Sequence, residues 1–303
     1  MQRYQNLLVC LNLSDQDEDL IRYARLLAER AGSRQVAFMH IMGNPEVPAT
    51  VYNQYPSLID APDQFAIQQM EEKVRTHFGN LEHCRLSFKI ISGSPLDSLL
   101  RFARSESTDL ILIGRRRDTS RTRRLSEKLT HKAPCPVLVF PEGNPVRIRR
   151  IMIATDFSDH ASRALDAALA FARSAQAEDL YCFHAYSVPE NYEVTGQSYQ
   201  DFSAFLLRQA SEAYARSIQG INPGNIDLIP VFEQSGDLSS AIQNFATREK
   251  IDLVLVGARG AGSGIVDALG STTETLLQTM ALPLLSIKQK GESGQVLDLL
   301  FKK

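Results

Sequence analysis

The clearest hydrophobic signal is the run Ile251-Asp252-Leu253-Val254-Leu255-Val256, apolar at every position but one and ended by Gly257. So short and continuous a run predicts a buried parallel strand. Around it, Arg150 to Ala154, Asp179 to Ala185, Asp227 to Phe232 and Leu284 to Ile287 read as further strands. Ala161 to Ala175, Ser198 to Ile218, Leu238 to Thr247 and the segment after Gly270 read as helices, the first plainly amphipathic. Strands alternating with helices imply a parallel sheet covered on both faces. Ligands of such sheets lie at the carboxyl ends of the strands, where chain order reverses. Asp156 and the glycine-rich stretch after Val256 fall at such ends.

The pattern occurs twice. Leu11-Asn12-Leu13-Ser14-Asp15 resembles Thr155-Asp156-Phe157-Ser158-Asp159 at an offset of 144, and the same offset carries His40 to His184. Gly114 in LILIGRRR corresponds to Gly257 in LVLVGARG, and Pro136 in CPVLVF to Pro283 in LPLLSI, at offsets of 143 and 147. Such constant spacing predicts two copies of one α/β domain, residues 1–143 and 147–288. They are joined at the turn-rich Glu142-Gly143-Asn144-Pro145 and followed by a tail, residues 289–303.

Composition narrows the class. A chain of 303 residues has room for two ordinary domains, and 44% hydrophobic content can supply their cores. A net charge of −2 gives no global reason to bind nucleic acid or a membrane surface, and no apolar run reaches membrane-spanning length. The N-terminus, MQRYQNLLVCLNLSDQ, reads as a strand and not as a secretory leader. Cys10, Cys84, Cys135 and Cys182 are scattered in or beside apolar runs, as expected of reduced core thiols in a cytoplasmic protein. No CxxC pair or His/Cys cluster suggests a metal site.

The candidate chemistry lies in VGARGAGSGIVDALGSTT, Val256 to Thr273. Strand, glycine-rich loop and helix N-terminus is the arrangement that holds phosphates, because glycines let the backbone approach an anion and free helical N–H groups point at it. Two residues separate Gly257 from Gly260 and nine separate Gly260 from Gly270, with Ser271 next. Neither the P-loop nor the dinucleotide spacing fits.

With this motif, the acidic Asp156 just after the first strand and the strand order, the second copy resembles the universal stress protein family. The likeness extends over almost the whole chain as two tandem domains. It implies Rossmann-like sandwiches, each with five parallel strands in the order 3-2-1-4-5. It also implies ATP bound without strong hydrolysis and with no catalytic residue. Carried onto this chain, it places adenine and ribose near Ala154, Thr155, Asp156 and Ala185. Phosphates would be surrounded by Val256, Gly257, Arg259, Gly260, Gly270, Ser271, Thr272 and Thr273. A magnesium ion fits between phosphate oxygens, because it needs few protein ligands. The competing reading is a glycine-rich surface turn with a helix cap at Ser271. The family commonly pairs the last strands of its domains, here Val137 to Phe140 and Leu284 to Ile287. The likeness therefore implies an intramolecular pseudo-dimer and further homo-oligomers such as dimers.

The first copy departs from the pattern. It keeps Gly114, but Arg117 stands where Gly260 does, Arg123 and Arg124 where Gly270 and Ser271 do, and Asn12 where Asp156 does. Arginine where glycine is needed crowds out a phosphate-hugging backbone, so this copy is expected to be degenerate and to bind no ATP in the family manner. Its Arg115 to Arg124 stretch, RRRDTSRTRR, reads as a loop with three open roles: an anion site built of guanidinium forks, a nucleic-acid contact, or a solvated loop pairing with acids. Nucleic acid is least favoured, since no aromatic platform interleaves the arginines. His40 and His184 read as strand-end histidines satisfied by backbone, in preference to proton-transfer groups. Pro45 to Pro62 reads as a long connection before the second helix of the first copy, and Gln197 to Leu207 follows the equivalent position in the second. Both read as surface packing in preference to lids over the sites. The apolar residues of the tail read as a short helix docked on its own domain or as a surface for a partner.

The function expected is an ATP-binding stress-response regulator or nucleotide sensor. Two alternatives remain, a slow ATPase and an interaction protein that uses the arginines at 115–124.

Overall fold

Strands and helices alternate along the whole chain. The computed structural model describes residues 4–42, 57–116, 120–157, 159–257 and 270–287, which form ten strands and eight α-helices. The chain divides into two units at Arg147 and Ile148. The first contains β1 (Asn6–Leu11), α1 (Asp17–Ala31), β2 (Gln35–Met42), α2 (Ser57–His77) and β3 (Arg85–Ser92). It continues through α3 (Pro95–Ser105), β4 (Leu110–Arg115), α4 (Ser120–Lys132) and β5 (Val137–Pro141). The second contains β6 (Arg150–Ala154), α5 (Asp159–Ser174), β7 (Asp179–Tyr186), α6 (Tyr199–Ser217) and β8 (Asp227–Gln234). It closes with α7 (Leu238–Arg248), β9 (Leu253–Gly257), α8 (Ser271–Thr279) and β10 (Leu284–Ile287).

Within the first unit the strands lie parallel in the order β3-β2-β1-β4-β5, and within the second in the order β8-β7-β6-β9-β10. This is the 3-2-1-4-5 order expected. The central strands are apolar at nearly every position because helices cover both faces: Leu7, Leu8, Val9 and Leu110 to Ile113 in one unit, and Ile151 to Ile153 and Leu253 to Val256 in the other, are all buried. The outer strands β3 and β8 are only partly buried. β8 accordingly tolerates Pro230, whose missing N–H would break the ladder of a central strand.

The helices turn apolar stripes to the sheet. α1 buries Leu20, Ile21, Tyr23, Ala24, Leu27 and Ala28, and the Tyr23 ring packs against Phe140 at 4.8 Å between centroids. In the second unit Leu165, Ala168, Leu169, Phe171 and Ala172 of α5 are buried, while Phe245 of α7 meets Phe183 at 5.2 Å and Tyr181 at 5.7 Å.

An aspartate just before the fourth strand fastens each sheet at its amino edge. Asp109 Oδ2 accepts the N–H groups of Gln5 and Asn6, each at 3.0 Å, and the Asp109 N–H donates to Asn6 O at 2.8 Å. Asp252, 5% exposed, repeats the arrangement: Oδ2 accepts from Arg149 at 2.9 Å and Arg150 at 3.2 Å, and its N–H donates to Arg150 O at 2.9 Å. The carboxylate satisfies N–H groups at the start of a strand that would otherwise be left without partners.

Two expectations need correction. The stretch Arg115 to Arg124 is not one loop, because Arg115 ends β4 and α4 has begun by Ser120. Arginine is a good helix former and the stretch lacks the glycines that would break a helix. The connection expected over Pro45 to Pro62 is also shorter: α2 begins at Ser57 and takes in Pro62 as its sixth residue, where the missing N–H costs one backbone bond, while α6 covers the helix expected over Ser198 to Ile218. The rest of the first connection, residues 45–56, and the tail, residues 289–303, lie outside the described residues.

Duplication supplies internal controls for stability. The helix following the first strand ends at Gly32 (φ 61°) in one unit and at Gln176 (φ 50°) in the other, both left-handed. Glutamine carries a Cβ penalty there that glycine avoids. Gln176→Gly should stabilise the protein by about 0.5–1 kcal/mol and Gly32→Gln should destabilise it comparably, read by urea unfolding. Asp252→Ala should cost about 2–3 kcal/mol in the same assay, with Asp252→Asn milder because an amide oxygen still accepts. An Asp252→Ala loss within experimental scatter would contradict the fastening role.

Candidate functional site

In the second unit, three neighbouring strands deliver their carboxyl ends to one place. Ala154, the last residue of β6, is in register with Phe183 on β7 and with Val256 on β9. Thr155 and Asp156 therefore emerge between His184 and Ala185 on one side and Gly257 on the other. Ala154, Thr155, Ala185 and Gly257 are half-buried, Val256 is buried and Asp156 is exposed.

The turn after β6 is held by aromatic packing. Phe157 takes a left-handed conformation (φ 54°), unusual for a residue with a Cβ, and its N–H donates to Thr155 Oγ1 at 3.1 Å. The Phe157 ring lies 5.1 Å from that of His184, 5.8 Å from Tyr214 and 6.2 Å from Phe232. Burial pushes the Tyr214 phenol up to about 12, so this ring stays a neutral phenol. Thr155 N–H donates to Phe183 O at 2.9 Å, and His184 Nδ1 lies 2.9 Å from Thr155 O. A carbonyl only accepts, so Nδ1 must carry the proton and donate. His184 is thereby committed to backbone, as expected from sequence, and His40 does the same to Leu11 O at 2.9 Å in the first unit.

The other side of the site is the start of α8. Thr273, 4% exposed, donates its hydroxyl to Gly257 O at 3.0 Å and so ties the helix to the end of β9. Gly270 is the N-cap residue and provides no side-chain cap, whereas Ser198 caps α6 and Asp237 caps α7. Ser271 stands exposed in the first turn and is not the N-cap, so the cap expected at Ser271 lies one residue earlier, at Gly270; the glycine-rich stretch 258–269 lies outside the described residues. The start of α8 thus offers backbone N–H groups and the positive end of the helix dipole, with the Ser271 and Thr272 side chains beside them. Arg259 and Gly260 lie outside the described residues.

The first unit fills the corresponding turn differently. Leu13 is left-handed (φ 57°), matching Phe157, but the buried carboxylate of Asp17 occupies the turn. It accepts the Asn12 N–H at 3.2 and 3.1 Å through its two oxygens and the Ser14 N–H at 3.1 Å. Burial raises the Asp17 pKa, opposed by those N–H bonds and by the charge of Lys73. The residue at the matching position of the second unit is Ala161. At the helix, Ser126 donates to Arg123 O at 2.8 Å within its own turn, and so does not repeat the tie that Thr273 makes to the strand. Sequence reasoning missed Asp17 and Phe157. The repeat signals both, Phe157 by its pairing with Leu13 and Asp17 by the alanine opposite it.

Comparison with known proteins agrees with this architecture. The family model described as "Universal stress protein family" matches residues 3–141 and again 147–288. A universal stress protein from Archaeoglobus fulgidus superposes with a TM-score of 0.62 at 19% identity, covering 95% of this chain and 97% of that one. A functionally unknown protein from Pseudomonas aeruginosa PAO1 gives 0.63 at 18%, covering 100% and 99%. A putative universal stress protein from Pseudomonas aeruginosa UCBPP-PA14 gives 0.61 at 17%, covering 98% of each chain. At these identities the likeness is one of fold. No curated protein sequence matches the chain significantly. Two successive matches to one family model, each spanning a whole five-stranded unit, make this chain a tandem member of the universal stress protein family.

Proposed function

We propose that the second unit binds ATP and that the protein is a nucleotide-dependent stress-response regulator. The observation that carries this reading is the convergence of Asp156, Ala185, Gly257 and an N-terminus of α8 without a side-chain cap at the carboxyl ends of β6, β7 and β9. Asp156 accepts hydrogen bonds from the adenosine, with Ala154 and Thr155 lining that side and the Ala185 backbone facing adenine. Val256, Gly257, Gly270, Ser271, Thr272 and Thr273 surround the phosphates, together with Arg259 and Gly260 of the intervening loop. An anion at α8 would supply what α6 and α7 receive from their own capping side chains. Among the described residues no group of three His, Cys, Asp or Glu side chains is placed to hold a metal ion, so magnesium would enter with the phosphates.

The reading is of binding and not of turnover, because the family resemblance carries no catalytic residue onto this chain. The described helices include none long and apolar enough to cross a membrane. The four free cysteines, three buried and one half-buried, suit a reducing compartment, and we place the regulator in the cytoplasm.

Small molecules released by denaturing freshly purified protein and identified by mass spectrometry test the reading. ATP or ADP is expected from the parent and from Asn12→Ala, and should be missing from Asp156→Ala and Gly260→Arg. A parent that carries no nucleotide and fails to bind added ATP would sink it. Thr273→Val should lose about 1 kcal/mol of stability and bind ATP several-fold more weakly, while Thr273→Ser retains both. Equal ATP affinity in Thr273→Val would remove the tie between α8 and β9 from the site.

A further inference from the structure

The second helix of each unit repeats its exposed side more faithfully than its buried one. A shift of 140 residues carries the buried Met70 and Val74 of α2 onto the buried Ala210 and Tyr214 of α6, and neither identity agrees. At the same shift Phe65, Gln69 and Glu72 meet Phe205, Gln209 and Glu212, and all six are exposed. The two phenylalanines are 63% and 40% exposed. A lone exposed apolar side chain needs no explanation, and substitutions on a free surface cost little, so nothing there holds a position to one identity. The same aromatic, amide and acid at i, i+4 and i+7 of both helices mark a face that meets something.

Heptad spacing runs along this face. Phe65, Gln68, Glu72 and Arg75 stand at i, i+3, i+7 and i+10 of α2, and Phe205, Arg208, Glu212 and Ala215 at the same steps of α6. Each set is exposed and forms one seam, the arrangement by which two helices pack along their length. Lys73 and His77, on the inner flank of α2, face Asp15 and Glu18 of α1. Among the described residues Glu72, Arg75 and Arg208 enter no ion pair, and the Glu212 carboxylate meets only the Gln209 amide, at 3.5 Å. Laid antiparallel, the two seams answer each other at every step: Glu72 falls opposite Arg208, Gln68 opposite Glu212, Arg75 opposite Phe205 and Phe65 opposite Ala215. These are an ion pair, an amide-to-carboxylate hydrogen bond, a guanidinium over a ring, and a large apolar side chain over a small one.

We propose that α2 of one copy of this chain packs antiparallel against α6 of a second copy along these seams. The two faces are near copies, so their pairing has the local two-fold character of an isologous contact. A contact of α6 with another α6 would leave the matching face of α2 unexplained. One aromatic residue per seam, with charged and amide groups around it, buries too little apolar surface for a permanent contact. The association is therefore reversible, grows with concentration and loosens with salt.

Sedimentation equilibrium of the full chain over a range of concentrations tests this. Self-association is expected of the parent. Glu72→Arg and Arg208→Glu should each weaken it about fivefold, because each sets like charges opposite one another. Both substitutions in one chain should restore it, since the ion pair is then reversed and not broken. Phe65→Ser should weaken it as well. All three residues are exposed, so the urea midpoint of each variant should match the parent's. A parent that stays monomeric would overturn the proposal, as would an association that neither charge variant changes, which would assign it to another surface. Weakening in Arg208→Glu alone, with Glu72→Arg like the parent and no recovery in the double variant, would overturn it in favour of α6 pairing with itself.

Discussion

A carboxylate that accepts two backbone N–H groups at the start of each first strand is the interaction on which the rest depends. Asp109 and Asp252 hold the first strand of each unit against its neighbour at the amino edge of the sheet. In a parallel ladder, register set at one end is register at the other. Ala154 therefore meets Val256 at the carboxyl edge, and Thr155 and Asp156 emerge beside Gly257. Residues lining one side of the proposed site are thus positioned by a bond to backbone at the opposite end of a five-residue strand.

Most of the fold was legible because buried parallel strands announce themselves as continuous apolar runs, and because the pattern occurs twice. The strand order followed from the family resemblance. Helix starts were harder to read. The arginines at 120–124 looked like a charged loop by composition, yet a residue's charge says little about its backbone, and arginine extends a helix readily. Pro62 misled in the same sense: it read as part of a connection, yet it stands sixth in α2, where its missing N–H costs one backbone bond.

The candidate site is proposed from identity alone at the glycines and Asp156. It was illegible where conformation carries the chemistry. Nothing in the letters Thr-Asp-Phe-Ser says that Phe157 is left-handed and wedged among His184, Tyr214 and Phe232. Nor does an acid at position 17 disclose that it turns back to its own loop. An acid in the first turn of a helix is ordinarily explained by the dipole, and Glu18 and Asp19 follow it.

Asp17 has a consequence for how the two halves depend on their surroundings. A turn that receives its negative charge from its own chain folds whatever solutes are present. The second unit has alanine at that position, and whatever binds its native state adds to its stability by mass action. Within one polypeptide, one half therefore has a turn whose folding is insulated from metabolite supply. With the ATP proposed for it, the other half would soften as that nucleotide is drawn down, and a protease or chaperone surveying the chain would register the depletion as local unfolding.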